Sequence, residues 1–201
     1  MKKGLFTFIV CLLAISSYSQ QHIKFNGATF GQSVQSFIQC FNSGFSSSTT
    51  GQFPPKGYNS NLCNHNCYDI KLNSQDWYCH IFSSRITNTV FRTVCVKAFY
   101  YDLETQLMLL VKTLENKYGG GVQEKQEDLG QIGYYSDYKR EMLALYYYIK
   151  DYNNKTIGEI RISAAPTDKE AKSGWVEISY VDYKSRDKAT QEYNTLMDDT
   201  F

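Results

Sequence analysis

Neither sign of charge is in surplus in this chain of 201 residues: 21 Lys+Arg stand against 20 Asp+Glu. A generic nucleic-acid binder holds phosphates with a basic excess, so that class is disfavoured and no nucleic-acid partner is expected. Long hydrophobic runs are missing too. No segment reaches the roughly 20 apolar residues of a membrane-spanning helix, so the chain is not expected to span a bilayer. Proline is scarce, at 3 residues, and with 42% hydrophobic and 20% charged residues the composition excludes collagen-like, coiled-coil and wholly disordered chains. Histidine is limited to His22, His65 and His80. No G-x-S-x-G elbow, H-E-x-x-H pair or phosphate-binding loop occurs, and no cofactor is expected.

What is present begins with an export signal. Lys2 and Lys3 precede the apolar run Leu5 to Ile15, and Ser17 and Ser19 flank Tyr18 in the small-x-small pattern of a signal-peptidase site. Residues 1–19 are therefore expected to be a cleaved signal peptide, and 20–201 an exported single domain, periplasmic or extracellular. Loss of Lys2 and Lys3 tips the balance to one net negative charge.

Along the mature chain, His22 to Phe25 reads as a strand entering the turn pair Asn26-Gly27. Ser33 is placed to cap a short helix carrying Val34, Phe37, Ile38 and Phe41, with Gly44 as its stop. Residues 42–66 are rich in Ser, Asn, Gly and Pro without periodicity. Three strand-like runs follow, Tyr68–Leu72, Trp77–Phe82 and Val90–Tyr101, joined by short polar links that suit an antiparallel meander. Leu103, Leu107, Leu110, Val111, Leu114 and Tyr118 then form one apolar helical stripe, with Asp102 as cap and Gly119 as stop. After a polar stretch come strands at Met142–Ile149, Ile157–Ile162 and Trp175–Val181, and a short helix between Lys184 and Met197. Strands in runs argue for an α+β fold with helices packed on one face of an antiparallel sheet. The helix-plus-three-strand unit occurs twice, so an internal duplication would divide the domain into halves 22–118 and 119–201.

Of six cysteines, Cys11 lies in the leader, leaving Cys40, Cys63, Cys67, Cys79 and Cys95. An oxidising compartment makes disulfides the first reading, and an odd count leaves one thiol over. If the second hairpin turns about Thr87, Cys79 and Cys95 are equidistant from its centre and oppose each other across the ladder, within disulfide range. Cys40 with Cys63 or Cys67 is a second candidate bond. A weaker alternative is tetrahedral zinc on Cys63, His65, Cys67 and Cys79, although the C-x-H-x-C spacing fits no common finger or ribbon.

Catalytic machinery is not evident. Cys79 and His80 are strand neighbours and point to opposite faces, which disfavours a nucleophile–base pair. A hydrolase would need two acids that meet in space, and nothing marks such a pair. Tyrosine is abundant, at 17 residues, mostly on or beside strands. Tyr146 and Tyr148 should share one face with Tyr147 on the other. These rings read as cover for a half-exposed sheet, or as an aromatic platform for a sugar or protein.

Ile23-Lys24-Phe25-Asn26-Gly27, Leu114-Glu115-Asn116-Lys117-Tyr118-Gly119, Gly158 to Ile162 and Val176 to Asp182 together resemble uncharacterised exported proteins of Bacteroidetes. That group is similar to folds of the β-lactamase-inhibitor-protein and SmpA/OmlA kind, with helices on one face of an antiparallel sheet. The resemblance implies a non-enzymatic binding or inhibitor-type scaffold with a protein or glycan partner, and it carries over no site residues. A glycan-binding accessory protein using exposed tyrosines, and a hydrolase with unrecognised acids, are the alternatives.

Overall fold

The computed structural model describes residues 22–41, 46–47, 63–124, 144–167, 170 and 172–198. The expected leader 1–19, most of the polar loop before Cys63 and the connector from 125 to 143 lie outside these residues.

Two short strands, β1 (Lys24–Phe25) and β2 (Ala28–Thr29), form a hairpin at the start of the described residues. Asn26 and Gly27 form its turn at φ 45° and 91°, the pair of positive values a type I′ turn requires. Helix α1 (Val34–Gln39) follows. Its Ser33 cap accepts the Ser36 N–H, satisfying an orphan amide of the first turn. The helix ends at Cys40, before Gly44, the expected stop, which falls outside the described residues.

The short β3 (Ser46–Ser47) leads to a meander of three ten-residue strands, β4 (Cys63–Leu72), β5 (Gln75–Ser84) and β6 (Val90–Phe99). Helix α2 (Leu103–Tyr118) comes next. Then follow β7 (Val122–Glu124), β8 (Ala144–Lys150), β9 (Thr156–Pro166), β10 (Gly174–Asp182) and α3 (Tyr183–Asp198). All eight strands from β3 to β10 join one antiparallel sheet in the order β3-β4-β5-β6-β10-β9-β8-β7.

The fold is α+β, and its order mirrors about the β6–β10 seam: each half supplies a helix, a short edge strand and a meander whose last strand lies at the centre. One sheet face packs against α1 and α2. Phe37, Leu103 and Leu114 meet Ile162, Val176 and Ile178 there in a single buried cluster. Helix α3 leaves β10 directly and reaches the β5–β6 turn, where Thr87 Oγ1 donates to Glu192 at 2.9 Å.

Two local expectations change. Asp102 does not cap α2 through its side chain: it sits at φ 55° and ψ 36°, a left-handed conformation with no cap hydrogen bond. The Leu103 N–H is satisfied from outside, by the Lys172 carbonyl at 3.0 Å. Strand β4 begins at Cys63 rather than Tyr68, because Cys63 to Cys67 pair with Ser84 to His80 of β5. Gly119 ends α2 as expected, at φ 86° with its N–H on the Glu115 carbonyl.

Candidate functional site

Helix α2 packs over β8, β9 and β10. Between its flank and the β4–β5 hairpin remains a cavity of about 340 Å³. Phe25, Trp77, Tyr118 and Tyr180 supply aromatic wall. Asn26, Asn73, Gln75 and Gln106 supply amides, and Lys117 the one charged group among the described lining residues. Gln75 Nε2 donates to Gln106 Oε1 at 3.5 Å, linking sheet to helix beside the cavity. The walls follow from local structure. Alternation along β5 sends Gln75 and Trp77 to the same side, and helical spacing aligns Gln106, Leu110, Thr113 and Lys117. Asn73, at φ 49°, turns the hairpin that closes one end. Burial, then the neighbouring Tyr118 and Cys95, push the Tyr180 phenol well up, so it stays protonated.

Among the described residues the lining holds no carboxylate, imidazole or thiol. It can stack a ring and exchange hydrogen bonds with it.

The opposite sheet face is polar. His65 Nε2 and His80 Nδ1 meet at 2.8 Å with their rings stacked at 18°. Burial lowers both imidazoles. For His80, burial is joined by His65 and Arg92, which bring it down to about 4. Arg92 Nε donates to Ser179 Oγ at 3.2 Å and its guanidinium lies over Phe82. Arg161 Nη1 donates to Glu177 Oε1 at 3.3 Å, and Tyr183 donates to Glu159 Oε2 at 2.6 Å. Glu159 lies opposite Val181, four residues along β10 from Glu177. Their backbone positions are about 13 Å apart along the strands, and each carboxylate has its own donor, Arg161 on Glu177 and Tyr183 on Glu159. Tyr146 and Tyr148 share this face, stacked at 6.5 Å, while Tyr147 is buried on the other, as alternation requires.

The zinc set is not assembled. Cys63, His65 and Cys67 share a face of β4, but Cys79 lies on the other face, in the helix-covered core. Cys63 and Cys67, four residues apart on one strand, are separated by about 13 Å, too far for one tetrahedral ion. Among the described residues no three His, Cys, Asp or Glu side chains are placed to hold a metal. The bond from Cys40 to Cys63 or Cys67 is also not formed. Cys40 closes α1 in the helix layer, whereas Cys63 packs with Phe82 and Val94 on the far side of the sheet. Cys79 and Cys95 do oppose each other, in the register set by a turn about Thr87, and are present as thiols.

One cluster escaped the sequence reading. His22 Nδ1 lies 2.8 Å from Asp182 Oδ2, and Ser185 Oγ donates to the same oxygen at 2.6 Å. The composition is that of a hydrolytic triad, but the wiring is not. Serine and carboxylate both approach Nδ1, whereas a triad needs the hydroxyl on Nε2. Asp182 also accepts the N–H groups of Ile23 and Ser185, each at 3.0 Å. It therefore caps α3 and clamps the N-terminal segment to the sheet. The signal lay 160 residues apart in the chain, beyond any local pattern.

Comparison with known proteins yields no matching family model, curated protein or solved structure.

Proposed function

We propose that this chain is an exported, non-enzymatic binding protein whose ligand site is the cavity between α2 and the β4–β5 hairpin. The observation that carries the reading is the lining: among the described residues, aromatic rings and amides surround a single ammonium group, without a carboxylate, imidazole or thiol. Concave, largely apolar sites with a few oriented polar groups are the usual form of small-ligand pockets. With Lys117 as the only charge among the described lining residues, the site favours a neutral or singly anionic ring over a cation. A pyranose or uronic acid residue of a glycan fits that chemistry, stacked on Trp77 and hydrogen-bonded by the amides. The aromatic platform of this reading is Trp77, Tyr118 and Tyr180 rather than the strand-surface tyrosines. A protein partner, the other reading, has in its favour Tyr100 and Tyr101, which are 74% and 84% exposed beside the start of α2.

Trp77 and Trp175 are the two tryptophans, so in a Trp175→Phe background the indole emission reports the cavity alone. Titration with neutral and acidic sugars should move that emission saturably, and Gln106→Ala or Lys117→Ala should weaken the response about tenfold, the equivalent of one lost hydrogen bond or charge contact. Sugar binding, followed by calorimetry, that survives both Gln106→Ala and Lys117→Ala with unchanged affinity would place the site elsewhere.

A further inference from the structure

Cys79 and Cys95 occupy directly opposed positions of β5 and β6, and both are 0% exposed. Opposed Cα atoms of an antiparallel pair lie about 4.5 to 5.5 Å apart, inside the range a disulfide spans. We infer that this pair is an oxidative modification site, closed to an intramolecular disulfide while the chain folds and sealed afterwards in the core. No other cysteine of the sheet competes from an opposed position: Cys67 faces His80 and Cys63 faces Ser84.

The oxidant is a protein or low-molecular-weight disulfide. One cysteine thiolate attacks a sulfur of that disulfide, forming a mixed disulfide and expelling the first thiolate. The second cysteine, once deprotonated, attacks the bonded cysteine sulfur, making the Cys79–Cys95 bond and expelling the other. The oxidant leaves as two thiols carrying the two electrons and two protons. Exchange requires both access and thiolate. The folded chain denies access to both cysteines, each being 0% exposed, and burial, then the hydrogen bond and charge of Cys95, hold the Cys79 thiol protonated. The reaction therefore precedes the docking of α1 and α2. Ile178, opposite Cys95, and Trp77, on the same face of β5 as Cys79, both line the cavity. The bond fixes the strands carrying its wall, though its formation does not rest on any ligand.

The test uses the wild-type chain, denatured and reduced, then refolded with oxidised glutathione or with dithiothreitol. A third sample is refolded with dithiothreitol and only then given oxidised glutathione. All are alkylated in denaturant without reductant and mapped as peptides. The first sample should yield Cys79 joined to Cys95, while the other two yield both cysteines alkylated. Alkylation of both in the first sample, or either one joined to a different cysteine, would overturn the site. Closure in the third sample would overturn its sealing on folding.

Discussion

Replacing Asp182 with alanine should test whether one buried carboxylate fastens the start of the described chain to the sheet and to α3. The side chain is 0% exposed and accepts from the Ile23 N–H, the Ser185 N–H, the Ser185 hydroxyl and the His22 ring. Truncation leaves the Ile23 amide buried without its acceptor, at about 1 to 3 kcal/mol. It also removes the cap of α3, at about 1 kcal/mol. A loss of about 3 kcal/mol follows, which lowers the melting temperature of a chain this size by about 10 °C. The assay is urea unfolding of Asp182→Ala and wild type near pH 7 and again near pH 3. Burial pushes the Asp182 carboxyl up, but the hydrogen bonds from His22, Ser185 and Ile23 outweigh it and hold it below the usual value of 3.8. Its folded pKa thus lies below its unfolded one. The stabilisation is present in full above the unfolded value and is lost as pH falls through the folded value. The deficit of the variant should accordingly shrink in acid. A deficit under about 1 kcal/mol near pH 7 would refute the clamp, since it means the carboxylate's partners are satisfied without it; a deficit that does not change with pH would refute the role of its ionised form.

Other outcomes are as definite. His80 should titrate near pH 4 by ring-proton NMR; because its folded pKa is depressed, stability falls with pH between the unfolded value and about 4, by at most about 3 kcal/mol, and His80→Gln should flatten that slope. Closing the loop from Cys79 to Cys95 should raise unfolding free energy by about 3 kcal/mol over the reduced chain in matched chemical denaturation, on the chain-entropy account. Equal stabilities of the bonded and reduced chains would contradict that account. Gly174→Ala should cost about 1 to 3 kcal/mol by overpacking, because a Cβ there would press on the Ala165 carbonyl and come within 2.7 Å of Leu103 Cδ2; an unchanged unfolding midpoint would show that the β9–β10 end can shift to make room.

Elements whose cause is local were legible in the chain. The six-residue stripe from Leu103 to Tyr118 has one period and one buried side, and it became α2. Thr87 as hairpin centre was enough to oppose Cys79 and Cys95, even though a register shift between Phe82 and Ser83 interrupts the ladder farther along. Cys63 to Cys67 was illegible because Asn-His-Asn has no strand propensity and no apolar alternation. Pairing with β5, a tertiary effect, imposes the extended form. Asp102 has a good cap residue's chemistry, but the approach of Lys172 to Leu103 replaces it. The cavity draws on β1, the β4–β5 hairpin, α2 and β10. No single stretch carries its pattern, and only the assembled sheet brings Trp77 beside Gln106 and Tyr180. The His22–Asp182 clamp depends on the same closure.

The mirrored strand order has a consequence for how either half would behave alone. Residues through α2 would end in a sheet whose last full strand, β6, has eight of its ten residues stripped of their β10 partners. The second half would present β10 in the same condition. Such a long unpaired edge is a template for a further strand. Each half is therefore the other's edge protection, and a chain cut between them is expected to pair with copies of itself through that exposed strand.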